Sequence, residues 1–164
     1  MLLRGFNVMS GYWDEPERTA EAIDGDGWLH TGDIATIDPQ GYVRITDRKK
    51  DMILVGGFNV YPAEVERILG RHEALESIAV VAAPDERLGE VPVAFLVLRP
   101  GSTLGEQEFL MWARDRIANF KCPRHAYVVP DLPRNASMKV LKNVLRDQAR
   151  ELSRPAAGPR SAPA

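Results

Sequence analysis

Apolar and polar positions follow one rhythm before residue 47 and another after it. In the first stretch the apolar runs are short and cut by turn formers. Residues 2–9 predict a strand, and residues 14–23 a short helix, since Pro16 suits a first turn and acidic side chains suit the positive end of a helix dipole. Asp24-Gly25-Asp26-Gly27 predicts a turn. Residues 34–37 and 42–45 predict a hairpin around Asp38-Pro39-Gln40-Gly41. Beyond residue 47 the apolar residues take helix and buried-strand patterns. Residues 52–55 read as a short strand and residues 62–71 as a helix with Val65, Ile68 and Leu69 on one face. Residues 77–83 and 91–98 read as apolar strands joined by a polar loop. Thr103-Leu104-Gly105-Glu106 has the form of a capping box, predicting a helix through Ile117 that buries Phe109, Leu110, Ala113 and Ile117. A strand over 126–129 and a final helix over 140–152, with Leu141, Val144, Leu145 and Leu152 on one side, complete the pattern.

These elements predict three parts. Residues 1–47 read as the trailing edge of a larger domain, because a lone hairpin leaves strand edges exposed. Residues 48–152, about 105 in number, read as a compact α+β domain large enough for its own core. Residues 153–164, rich in Pro and Ala, carry no core pattern and predict a disordered tail.

Charge sharpens this division. The net charge is −2, but residues 1–47 hold three basic against nine acidic side chains, a net of −6. Residues 48–164 hold eighteen against fourteen, a net of +4. Two readings stand: uneven solvated faces, or a positive part that attracts a phosphorylated ligand. The overall charge and the lack of a dense basic run argue against nucleic acid. No run approaches the roughly 20 apolar residues of a membrane helix, and no secretory signal opens the chain. Cys122 is the one cysteine, which excludes an internal disulfide and fits a cytoplasmic protein. His30, His72 and His125 have no metal-ligand spacing, so no metal site is expected.

Three motifs carry the chemistry. The longest runs Asp47-Arg48-Lys49-Lys50-Asp51-Met52-Ile53-Leu54-Val55-Gly56-Gly57-Phe58-Asn59-Val60-Tyr61-Pro62. Gly27-Trp28-Leu29-His30-Thr31-Gly32-Asp33 precedes it, and Leu132-Pro133-Arg134-Asn135-Ala136-Ser137-Met138-Lys139 follows. From their residues alone, Asp33 caps a turn or accepts hydrogen bonds from a diol. Arg48 pairs with Asp47 or Asp51, or presents its donor fork to ribose or phosphate. Gly56 and Gly57 supply torsions closed to other residues and leave room for a ligand. Lys50 and Lys139 are ordinary surface cations. Lys121 and Arg124 form a solvated basic face or a phosphate contact.

In this order the motifs resemble the AMP-forming acyl-CoA synthetases, within the adenylate-forming superfamily, over residues 4–152. The resemblance implies a fold, the small C-terminal α+β domain with a short antiparallel sheet packed by helices, preceded by a β-rich remnant of the large domain. It implies that Asp33 binds the ribose of ATP and that Arg48 contacts the nucleotide. Lys50 becomes the hinge on which the small domain turns, and Gly57 lines the passage of coenzyme A. Lys139 becomes the catalytic lysine that reaches the α-phosphate. The ligands implied are ATP and AMP, coenzyme A, Mg²⁺ brought with ATP, and a carboxylic acid, fatty acids first. The partner implied is a large N-terminal adenylation domain, since the sequence holds no Ser/Thr/Gly-rich phosphate loop ending in Lys. Met138 departs from the family's usual Gly before the lysine. A positive φ there would strain the loop by roughly 1 kcal/mol or more. Two alternatives stand beside this reading: an amino- or aryl-acid adenylation enzyme, and a non-catalytic module that binds coenzyme A or docks on a partner.

Overall fold

The computed structural model describes residues 1–152, so the expected tail over 153–164 lies outside the described residues. The chain divides into two compact units, Met1–Lys50 and the residues from Asp51 onward. Among the described residues no helix is long and apolar enough to cross a membrane.

The first unit is built from turns. Strand β1 (Leu2–Leu3) pairs antiparallel with β2 (Leu29–His30), and helix α1 (Pro16–Ala22) lies between them in sequence. The strand expected over 2–9 stops at Leu3, because Gly5 takes φ 150 and the Val8 N–H turns back onto the Gly5 carbonyl at 3.1 Å. Asp24 holds the next turn. Its carboxyl sits below the usual carboxylate range, first through the bond from His30 and then through the Trp28 N–H. Strand β3 (Asp33–Ile37) pairs antiparallel with β4 (Val43–Arg48) around a loop in which Asp38 accepts the Gln40 and Tyr42 N–H groups. Within this unit Asp47 is the one residue in the buried class. Ile37, Tyr42, Val43 and Ile45 of the hairpin are exposed.

The second unit has a layered core. Strands β5 (Ile53–Val55) and β6 (Phe58–Val60) form a hairpin whose two loop residues are Gly56 at φ 55 and Gly57 at φ 90. Positive φ at both positions is the type I′ turn that matches strand twist, and Gly is its least strained occupant. Three residues are too few for a periodic signal, so β6 is absent from the sequence reading. Helix α2 (Pro62–Leu69) buries Pro62, Val65 and Leu69 and stops at Gly70, two residues short of the expected end. Strands β7 (Leu75–Asp85) and β8 (Gly89–Leu98) form a long antiparallel hairpin. Asp85 accepts the Leu88 and Arg87 N–H groups at its tip, which depresses its carboxyl pKa.

Helix α3 (Glu106–Arg114) corrects the capping box placed at Thr103 and the end placed at Ile117. Gly105 is the N-cap, and its N–H reaches the Glu108 carboxylate at 3.4 Å. Leu104 is buried in the core ahead of the helix, which delays the first turn. Strand β9 (His125–Val128) runs parallel to β8, with Val93 opposite His125. Helix α4 (Lys142–Leu152) starts two residues later than expected because Val140 is bridged to Arg134.

The sheet order is β6-β5-β8-β7, antiparallel along that path, with β9 added beside β8. One face packs Val80, Ala94 and Leu96 against Val65 and Leu69 of α2 and Phe109, Leu110 and Ala113 of α3. The other packs Ala79, Val81, Val93, Phe95 and Val97 against Leu145 and Ala149 of α4. Burial on both faces explains why β8 reads as an unbroken apolar run. Cys122 lies in the first of these layers, where burial pushes its thiol pKa up and keeps it protonated.

Candidate functional site

Two of the sequence candidates meet in the first unit. Asp33 opens β3 and Arg48 closes β4, and the ladder sets them opposite each other. Arg48 Nε forms an ion pair with Asp33 Oδ1 at 2.9 Å, with the carboxylate side chain 13% exposed and the guanidinium side chain 48% exposed. This corrects the pairing of Arg48 with Asp47 or Asp51. The Asp47 carboxylate accepts the backbone N–H of Arg48 at 2.7 Å, while Asp51 is held by Arg146 of α4. Gly32 at φ 71 turns the chain so that its carbonyl accepts the Lys49 N–H at 2.8 Å. Thr31, Gly32, Arg48, Lys49 and Lys50 line an open pocket of about 500 Å³. One guanidinium and two ammonium groups around it suit an anionic ligand.

A single 3₁₀ turn, Lys49–Asp51, carries the chain out of this unit. Lys50 is its exposed middle residue, and the division between the units falls immediately after it. The residues flanking Lys50 are anchored, Lys49 by the Gly32 carbonyl and Asp51 by Arg146.

Gly57 and Lys139 lie on separate loops of the second unit. At Gly57 an added Cβ would meet nothing within 4 Å, so within this unit the requirement for Gly is its φ of 90. Lys139 ends a tight turn. The Met138 N–H donates to the Asn135 carbonyl at 2.9 Å, and the Asn135 N–H donates to the Lys139 carbonyl at 3.0 Å. The flanking bridge between Arg134 and Val140 makes this a small hairpin with Met138 at φ 61. That is the left-handed position where such hairpins favour Gly. The positive φ on which the strain argument depended is thus present. Met138 is 69% exposed, so packing does little to offset it.

Met138→Gly should therefore raise the stability of the chain, by at most about 1 kcal/mol, since the greater freedom of Gly in the unfolded chain offsets part of the gain. A urea titration gives the sign. A lower midpoint would mean that the Met side chain contributes more than its torsion costs.

Lys121 is corrected. Its ammonium bonds both carboxylate oxygens of Glu64, at 2.7 and 2.8 Å, and so ties α2 to the loop before β9. Arg124 is exposed beside it. Glu66, two residues further along α2, accepts the Val80 N–H at 2.7 Å and the Lys142 ammonium at 2.7 Å. It covers part of the β7 edge and fixes the start of α4, directly after the Lys139 turn. None of these roles is legible in sequence, because each joins elements far apart in the chain.

A five-stranded sheet with helices on both faces, and a lysine-tipped turn ahead of the last helix, define a small α+β module. Residues 64–139 match the AMP-binding enzyme C-terminal domain. The chain is 57% identical over 148 residues to a methyl-dioxo-octahydroindenyl-propanoyl:CoA ligase of Rhodococcus jostii, covering 90% of this chain and 29% of that protein. It is 46% identical over 146 residues to a feruloyl-CoA synthase of an Amycolatopsis species, covering 89% and 30%. The crystal structure of ATP-bound MatB from Rhodopseudomonas palustris superposes with a TM-score of 0.87 at 39% identity, covering 92% of this chain and 30% of that one. The chain thus spans somewhat less than a third of the length of these relatives.

Proposed function

We propose that this chain is the C-terminal part of an ATP-dependent acid–CoA ligase. Its partner in the reaction is a large N-terminal adenylation domain. Residues up to the Lys50 hinge are the trailing edge of that domain, and the residues after it form the mobile small domain. The observation that carries the reading is the exposed Lys139 on its closed turn, in a domain that matches the AMP-binding C-terminal family. The likeness to proteins named CoA ligases supports the same chemistry.

In the first step a carboxylate oxygen of the acid attacks the α-phosphorus of ATP, and pyrophosphate leaves. The Lys139 ammonium, brought to the α-phosphate, offsets the negative charge that builds there. Asp33 accepts the ribose hydroxyls, and Arg48 holds both Asp33 and the nucleotide. Mg²⁺ enters on the triphosphate. Rotation at Lys50 then withdraws Lys139 and presents the Gly56-Gly57 turn. In the second step the coenzyme A thiol attacks the acyl carbonyl and AMP leaves, with Gly57 clearing the passage for the pantetheine arm. The acid is a carboxylic acid, fatty acids included, and the compartment is the cytoplasm.

The chain alone should release pyrophosphate only at background, because the phosphate loop and acyl pocket are not among its residues. Joined to the large domain of a relative, it should give acid-dependent release. Acid-dependent turnover by the chain alone would show that it needs no large domain. No turnover from the joined protein, with the large domain shown to be folded, would refute the reading.

A further inference from the structure

The Lys139 turn holds a non-glycine residue at positive φ with its side chain largely in solvent. Hydrogen bonds, not packing, keep it closed, and four of them converge on Asn135. Its side-chain carbonyl accepts the Ser137 N–H at 3.0 Å and the Lys139 N–H at 2.9 Å. Its backbone carbonyl accepts the Met138 N–H at 2.9 Å, and its own N–H donates to the Lys139 carbonyl at 3.0 Å. From the neighbouring position, the Arg134 guanidinium donates to the Met138 carbonyl at 3.1 Å. Both backbone groups of Lys139 are therefore bonded to one residue, and Met138 is held from both sides.

Resting on the reading of Lys139 as the adenylation lysine, we infer that Asn135 is its positioning residue. A short amide side chain folded onto its own turn is an alternative to regular secondary structure. Here it fixes the N–H of Lys139 and hence the direction in which the side chain leaves the loop. It also restrains the torsion of Met138, which a Gly at that position would adopt without strain. The chemistry favours Asn over Asp. The amide carbonyl accepts the same two bonds without placing a negative charge beside a lysine that must meet a phosphate. Asn135 acts only through Lys139 and the turn.

Two readouts test this. In the full chain, Asn135→Ala should speed amide exchange at Ser137 and Lys139 by about tenfold, while Val93 and Phe95 in the sheet keep their protection. Asn135→Asp should keep the two loop amides protected. In the chain joined to a large domain, Asn135→Ala should lower kcat for acyl-adenylate formation about tenfold with KM for ATP within about twofold. It should leave thioester formation from supplied acyl-adenylate unchanged, and Asn135→Asp should recover part of the lost rate. Unchanged exchange in Asn135→Ala overturns the inference, as does lost protection with an unaffected kcat. If Lys139→Ala abolishes adenylation and Asn135→Ala does not slow it, the positioning role alone fails. If Lys139→Ala leaves adenylation intact, the functional reading falls with it.

Discussion

Lys139→Ala, in the chain joined to a large adenylation domain, should slow acyl-adenylate formation by on the order of a hundredfold to a thousandfold, the usual effect of removing one preorganised charge from a transition state. Thioester formation from supplied acyl-adenylate should stay near its starting rate. The two half-reactions separate because the lysine serves one of them and, on the proposed mechanism, is withdrawn before the other. The effect should fall on kcat more than on KM for ATP, since charge on the transferring group is greatest in the transition state. Stability should change little, as Lys139 is exposed and its hydrogen bonds are made by its backbone. Pyrophosphate release and thioester formation measured on one preparation decide the matter. Equal loss in both would move Lys139 from catalysis to general upkeep of the loop.

Phe109→Ala should produce the largest loss of stability, about 3–5 kcal/mol. Its side chain is 0% exposed and sits among the sheet, α2 and α3. Trp112 stacks near it at 6.1 Å between ring centroids, and His72 lies at 6.3 Å. Rings so enclosed cannot collapse fully into the space left by a lost phenyl group, so a cavity remains. Against a total of about 5–15 kcal/mol for an ordinary domain, that is a large share. The urea midpoint should fall while the slope stays constant. Ile45→Ala, at a position 58% exposed on the β3–β4 hairpin, should stay within about 0.5 kcal/mol. Similar small effects from both variants would mean that the second unit is not the cooperative core.

The long periodic elements are legible in the sequence because burial sets their rhythm. Val65 and Leu69 give α2, Phe109, Leu110 and Ala113 give α3, and the unbroken run over 91–97 gives β8. Their ends are less legible, for local reasons. Leu104 is drawn into the core before α3 can begin, and Val140 is bridged to Arg134 before α4 can. Strand β6 is too short to show a period, and the parallel placement of β9 depends on a partner some thirty residues away. At the candidate site, the family resemblance names Asp33, Arg48, Lys50, Gly57 and Lys139, and the departure at Met138 marks the residue that takes φ 61. The Asp33–Arg48 pair needs the hairpin register to be seen. The Lys121–Glu64 bond needs residues 57 positions apart. Asn135 leaves a local signal, an amide side chain opening a tight turn, but its meaning depends on which N–H groups that side chain reaches.

The bond between Asp51 and Arg146 spans 95 positions of sequence. One end lies at the first residue of its unit and the other in the last helix. During synthesis at about 5–20 residues per second, Asp51 waits several seconds for its partner to be made. In that interval the sheet and the α2–α3 layer can already assemble, while the segment after Lys50 still lacks its anchor. The anchor of Asp51 is thus completed late although the residue itself is made early.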